Sequence, residues 1–214
     1  MWTDRILFID AEALVIDKPA GLAVHAGPRT PYSLDDHLSA LRFGFRRPPS
    51  PVHRLDRDTS GCLLLSRNPK AHKRFARAFE DGRVEKLYLA VLEGALDGEG
   101  PIDMPLLKIS SREQGWRMVP DPEGQAARTH WRALAQQGGR TLVAFTPATG
   151  RTHQIRAHAA YALEAPVAGD PVYGKAAPAM LLHAASLAVP REPKDPVTAT
   201  APLPPAFGSF RDAA

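Results

Sequence analysis

The sequence predicts an α+β fold built on a mixed, mainly antiparallel sheet with flanking helices. Three observations carry that expectation. Strand-like runs are many and short, helix-like runs are few, and the two do not alternate strictly, as a βαβ protein would require. One pair of runs, 129–135 and 141–146, is joined by Gln136-Gln137-Gly138-Gly139-Arg140, a hairpin signal. The chain has 214 residues, 44% hydrophobic and 23% charged, which suits one large domain or two lobes sharing a core.

From the N-terminus, 5–9 and 13–17 read as strands turning at Ala11-Glu12. Lys18-Pro19-Ala20-Gly21 is a turn with two breakers. Ser33 caps a short helix over 33–41, with Leu34, Leu38 and Leu41 on one face. Residues 42–52 form a basic, proline-rich loop in which Arg42, Arg46 and Arg47 alternate with Phe43 and Phe45. His53 to Gly61 is too polar and irregular for a buried element, whereas Cys62-Leu63-Leu64-Leu65 reads as a buried strand.

The clearest helix is 69–80. Asn68 caps it, Pro69 suits its first position, Ala71, Phe75 and Phe79 recur at helical spacing, and Gly82 ends it. Residues 84–92 alternate as a strand, with Leu87, Leu89 and Val91 on one face and Tyr88, Ala90 and Leu92 on the other. If the leucine row faces the core, Tyr88 faces a cleft, where its ring suits stacking on a base. The alternative is ordinary sheet packing. Residues 93–125 have no legible pattern. Residues 152–163 read as a helix with Ile155, Ala159 and Leu163 in a stripe, 180–189 as a strand, and the tail from Pro190 as proline-rich and partly extended.

The formal charge is +4 and the isoelectric point near 9.4, a lean toward an anionic partner such as nucleic acid. The single Cys62 excludes an internal disulfide and a cysteine zinc site. The apolar stretch Ile6–Ile9 is cut by Asp10, too short for a signal peptide or a membrane span, so a cytoplasmic protein is expected. His153 and His158, five apart, do not share a helix face, and no His-Glu-x-x-His pattern occurs, so no metal site is expected. His25, His53 and His183 read as structural histidines.

Two constellations concentrate chemistry. His53-Arg54-Leu55-Asp56-Arg57-Asp58-Thr59-Ser60-Gly61 packs two carboxylates, two arginines, a histidine and two hydroxyls into nine residues. A carboxylate held ionised by a nearby cation can serve as nucleophile or base. The same residues also suit a surface loop closed by Asp–Arg pairs and hydroxyl turn bonds. Gly150-Arg151-Thr152-His153-Gln154-Ile155-Arg156-Ala157-His158 sits at a loop-to-helix junction, where backbone donors suit an anion and arginines hold a phosphate or a carboxylate. Its plain alternative is a helix start with exposed charge.

The first constellation resembles the signature loop of the RluA family of pseudouridine synthases, and further motifs follow in that family's order. They are Lys18-Pro19-Ala20-Gly21-Leu22 with Val24-His25, Lys86-Leu87-Tyr88-Leu89-Ala90 with Gly94, Gly150 to Arg156 with His158, Gly169-Asp170-Pro171 with Tyr173-Gly174, and Leu182-His183-Ala184. His53 ahead of Arg54 favours this family over the related RsuA group, which usually has glycine there. The resemblance implies a pseudouridine synthase catalytic domain with a central active-site cleft, the motifs lying within 14–184 and no separate N-terminal RNA-binding domain. It implies that Asp56 is the catalytic aspartate, that Arg156 pairs with it, and that Tyr88 stacks on the uracil. Arg54, Arg57, Arg151 and His53 are the implied RNA contacts. No cofactor is implied. The expected partner is a ribosomal RNA or tRNA stem-loop, acted on by a monomer.

Three other readings stay open. A hydrolase using Asp56 with Asp58 would release free base or sugar. An inactive RNA binder would bind RNA regardless of Asp56. A structural protein would show no salt-dependent RNA affinity.

Overall fold

A computed structural model of the chain describes residues 2–27, 30–111 and 115–213. Its strands are β1 (Ile6–Ile9), β2 (Ala13–Lys18), β3 (Ser50–Pro51), β4 (Ser60–Ser66), β5 (Glu85–Glu93), β6 (Glu99–Asp103), β7 (Leu106–Ser111), β8 (Gly115–Pro120), β9 (Arg128–Gln137), β10 (Arg140–Pro147), β11 (Leu182–Arg191) and β12 (Lys194–Thr200). The α-helices are α1 (Pro69–Glu80) and α2 (Gln154–Tyr161), and 3-10 helices cover Trp2–Arg5, Leu34–Leu41 and Pro205–Ala213. The mixed strand-rich α+β class read from the sequence is the one observed.

The chain forms two compact units. One comprises Met1–Lys86 with Ala184–Leu203; the other comprises Leu87–His183 with Pro204–Ala214.

In the first unit the strand order is β1-β2-β4-β11, with β12 on β11 and β3 on β4. β2 runs antiparallel to β4 from Ala13 opposite Ser66 to Lys18 opposite Gly61. All seven residues of β4 are buried. Cys62 and Leu64 meet Ala13 and Val15 of β2, Leu187 and Val189 of β11, and Ala71, Phe75 and Ala78 of α1 in one core cluster. α1 forms where its signals place it: the Asn68 side chain accepts from the Ala71 amide at 2.9 Å, Pro69 occupies the first turn, and Phe75 is fully buried. Ser33 caps its helix through a full capping box with Asp36, and Leu34 and Leu41 are buried, although the turn is 3-10. The tail is more ordered than its prolines suggest. Pro190 lies in β11 and Pro196 in β12, a strand paired only with β11, where a missing amide donor is tolerated.

The second unit is built on β5-β10-β9-β6, all neighbours antiparallel. Gly138 and Gly139 form the two-residue turn between β9 and β10, both with positive φ (59° and 75°), the conformation a tight hairpin requires. Ala90 and Leu92 of β5, Val143 and Phe145 of β10, and Ile155 and Ala159 of α2 share a core, with Tyr88 and Leu163 packed against it. β7 and β8 form a separate two-stranded hairpin within the stretch that had no sequence pattern. Leu106 and Met118 of that hairpin pack with Ala157 of α2 and with Tyr173.

Candidate active site

The segment His53–Gly61 leads from β3 into β4 and is anchored both by its sequence neighbours and by the Lys18–Leu22 turn. His53 Nε2 accepts from the Leu64 amide at 3.0 Å, and its ring stacks on Phe79 of α1 at 4.5 Å. Burial, with the Lys86 charge, pushes this imidazole down to about 3, so it stays neutral and serves as acceptor. The His53 ring is thus engaged in shaping the loop, in keeping with its reading as a structural histidine. Leu55 is buried; Arg54 and Arg57 are exposed. The Thr59 amide donates to the Asp56 carbonyl at 3.2 Å, placing Asp56, half-buried, at the head of a turn. Arg57 donates to both carboxylate oxygens of Asp58, at 3.0 and 3.2 Å. The far end of the segment departs from expectation: Thr59, Ser60 and Gly61 are buried and Ser60 already belongs to β4. Gly61 has φ +105°, and a Cβ there would stand 2.2 Å from the Ala184 carbonyl oxygen, so only glycine fits.

Lys18 is legible in the sequence as part of a turn and of the motif Lys18–Leu22, but with no role of its own. It is fully buried, and its ammonium donates to the carbonyls of Pro19 (2.8 Å), Leu22 (2.7 Å) and Arg57 (3.1 Å). The Gly21 amide donates to the same Arg57 carbonyl at 2.9 Å. The Lys18–Leu22 turn therefore clamps the backbone one residue past Asp56. Desolvation lowers this ammonium to about 8, opposed by the charges of Asp58, Asp56 and Asp17.

In the second unit, Tyr88 of β5 lies opposite Phe145 of β10 and is half-buried. Leu89 and Val91 of the leucine row are buried, and beyond Tyr88 the opposite face is buried too, at Ala90 and Leu92. The motif 150–158 is knitted by Gln154. Its Oε1 accepts from the Arg151 amide (2.9 Å) and Thr149 Oγ1 (2.7 Å), and its Nε2 donates to the Arg128 carbonyl and Thr129 Oγ1, both at 2.9 Å. The Arg151 amide, one of the donors read as suited to an anion, is thus satisfied internally. His158, fully buried, bridges Thr129 Oγ1 (2.9 Å) and the Met104 carbonyl (3.1 Å). A carbonyl only accepts, so Nε2 carries the proton. His153 holds a left-handed backbone, φ 52°, with its ring on Trp116 at 4.6 Å. Arg151 is exposed and donates to the Ala126 carbonyl.

Arg156 donates from Nε and Nη2 to the two oxygens of Asp170, each at 2.7 Å, and both residues are buried. Burial alone would raise the Asp170 carboxyl; the bonds and charge of Arg156, with the amides of Val172 and Tyr173, outweigh it and hold the group below the ordinary carboxylate range. The Tyr173 ring lies 5.4 Å from the guanidinium. No sequence signal pointed to Asp170 as a partner of Arg156: fourteen positions separate them, and only the motif Gly169-Asp170-Pro171 marks the place. Gly169, at φ +81° with the Ala179 carbonyl oxygen 2.0 Å from a would-be Cβ, explains the glycine before it.

Among the described residues no three His, Cys, Asp or Glu side chains converge as a metal site, and no helix is long and apolar enough to cross a membrane.

This pairing of a mixed, mostly antiparallel sheet with these motif loops defines the RNA-modifying isomerase class, and comparison with known proteins places the chain in it. The RNA pseudouridylate synthase family model matches residues 12–161. An uncharacterized RNA pseudouridine synthase of Zymomonas mobilis subsp. mobilis is 58% identical over 208 residues, 95% of either chain. Ribosomal large subunit pseudouridine synthase D of Nitrosomonas europaea is 36% identical over 197 residues, 88% of this chain and 55% of that protein. The solved structure of human RNA pseudouridylate synthase domain containing 4 superposes with a TM-score of 0.81 at 25% identity, covering 96% of this chain and 91% of that one. The chain belongs to the RNA pseudouridylate synthase family, in the RluA branch that its motifs resemble, and is an RNA pseudouridine synthase. It spans about half the length of the large-subunit synthases it matches, 55% in the case above.

Proposed function

We propose that the chain isomerises specific uridines in structured RNA, in 23S ribosomal RNA or tRNA, to pseudouridine, with Asp56 as the catalytic carboxylate acting on a flipped-out base. The observation that carries the reading is the Asp56 turn. It sits at the start of a fully buried strand and is held from behind by a buried ammonium, as preorganised catalysis requires. In the reaction the bond from uracil N1 to the ribose C1′ breaks, the base turns, C5 bonds to C1′, the C5 proton leaves, and N1 takes up a proton. Atoms and electrons balance within the nucleoside, so the chemistry calls for no cofactor. Extruding the base costs a few kcal/mol of stacking, and a stacked aromatic returns roughly 1–3 kcal/mol, the role proposed for Tyr88. Arg156 is the proposed cationic partner of the reaction, and its orientation is supported by its paired bonds to Asp170. The exposed Arg54, Arg57 and Arg151 are proposed to meet phosphates, with His53 fixing the loop that carries two of them. We further propose a monomer acting on cytoplasmic RNA.

The hydrolase reading is less well supported, because Asp58, its second carboxylate, is engaged by Arg57. The deciding experiment is tritium release from RNA labelled at uracil C5, on bulk tRNA and ribosomal RNA. Wild type should release label and Asp56→Asn should not, while both bind RNA. Release by Asp56→Asn would remove the assignment.

A further inference from the structure

The loop between the Leu34–Leu41 helix and β3 is a second concentration of positive charge, and it is built rather than slack. Its N-terminal end is anchored by Leu41, fully buried, and its C-terminal end by Pro49, also buried, and by Ser50, whose carbonyl accepts from Ser66 Oγ at 3.2 Å. Between them the Phe45 amide donates to the Arg42 carbonyl at 3.1 Å across two left-handed residues, Phe43 (φ 43°) and Gly44 (φ 84°). A turn with positive φ at both central positions accepts glycine readily and phenylalanine only under strain. Strain of this kind persists when the surroundings over-determine it, and it concentrates where a surface has work to do.

The surroundings here are Arg67. This buried side chain donates to the Arg42 and Phe43 carbonyls, each at 3.0 Å, and to the Asp10 carbonyl at 2.6 Å. Its guanidinium lies 3.8 Å from the centre of the Phe45 ring. One cation thus holds the turn from inside through hydrogen bonds and through the aromatic face. What the turn presents outward is Arg42, Arg46 and Arg47, all exposed. Among the described residues no ion pair joins any of the three to a carboxylate; Arg42 Nε donates to the Ser39 carbonyl at 3.1 Å. The other cationic surface of this unit, on α1, is partly neutralised: Arg74 pairs with Glu12 and Arg77 with Asp81.

We propose that residues 42–47 form a preorganised contact for the sugar–phosphate backbone of the substrate RNA, separate from the Asp56 loop. Guanidinium groups pair with phosphate oxygens through parallel N–H bonds, and a rigid turn lowers the ordering cost of presenting them. Such contacts are indifferent to base identity and supply affinity and register. The inference rests on the RNA pseudouridine synthase reading, but its test is read in RNA affinity and not in product.

The experiment measures binding of bulk tRNA by fluorescence anisotropy over a series of KCl concentrations. Arg46→Ala/Arg47→Ala should bind several-fold more weakly, and the slope of log affinity against log salt should shrink by about 1–2, since each lost phosphate contact removes roughly 0.7–0.9. Gly44→Val tests the preorganisation with no change of charge. A Cβ at Gly44 meets nothing within 4 Å, so the substitution acts first through the backbone, whose φ of +84° a β-branched residue resists. It too should weaken binding. Unchanged affinity and slope in the double variant overturn the contact, and wild-type affinity in Gly44→Val overturns the preorganisation. Absence of tritium release from wild type would instead count against the proposed reaction and leave this comparison intact.

Discussion

The ion pair between Arg156 and Asp170 shows how one residue's orientation is set by another far away in sequence. A buried pair adds little net stability, but removing one partner leaves an uncompensated charge and costs about 3–5 kcal/mol. Asp170→Asn is therefore expected to lower unfolding free energy by that order in urea denaturation; a loss under about 1 kcal/mol would mean water reaches the guanidinium. Lys18 makes a prediction of opposite kind. Folding depresses this ammonium to about 8 from its ordinary 10.5, so between those values the unfolded chain holds more protons. Stability contributed by this group therefore rises with pH across that window. Its hold on the Arg57 carbonyl weakens over the same range, because a neutral amine has one donor fewer for three carbonyls. Turnover should decline above about pH 8 with no matching fall in melting temperature. A rate flat to pH 10, or one that falls only where the protein melts, would show that Lys18 does not support the Asp56 turn.

At the scale of elements, local chemistry and burial divide what a sequence reveals. The ends of α1 were legible because Asn68, Pro69 and Gly82 act on their own backbone. The β9–β10 hairpin was legible because Gly138-Gly139 permits the turn it makes. The faces of β5 are not separable from its alternation, because alternation reports an inside and an outside only when a strand is buried on one side, and β5 is buried on both through 90–92. The β7–β8 hairpin was invisible because its exposed Leu107, Ile109 and Trp116 blur any apolar face. Gly61 looked like a loop residue and is instead a β4 position where the β11 backbone at Ala184 leaves no room for a Cβ. Gly61→Ala should fail to give soluble, cooperatively melting protein, since the contact it creates is with backbone and not with a side chain that can move. Normal melting would mean that β11 can shift away at Ala184.

Over the whole molecule, the first unit is assembled from two distant stretches of chain. Leu187 and Val189 of β11 and Val197 and Ala199 of β12 complete the core begun by β2, β4 and α1. The segment after Pro190, which reads as an extended tail, is thus part of the framework behind the Asp56 loop. Truncation after Arg191 should remove Val197 and Ala199 from that core and abolish folding, as read by far-ultraviolet circular dichroism and by loss of RNA binding. A folded, RNA-binding truncation would reduce β12 to a dispensable edge.

By itself the sequence determined the strand-rich α+β class, the caps and turns, and the family, because each of these depends on residue types at short spacing. It singled out Asp56, Tyr88 and Arg156 by motif. It did not show that Arg156 is bonded to Asp170, that Lys18 is buried against the Arg57 carbonyl, that His53 faces inward, or that Arg67 sustains a strained turn under three exposed arginines. Those are decisions of the tertiary structure. Each depends on which polar groups lose water together, and a buried charge must find its partners wherever folding has brought them, however far apart they stand in the chain.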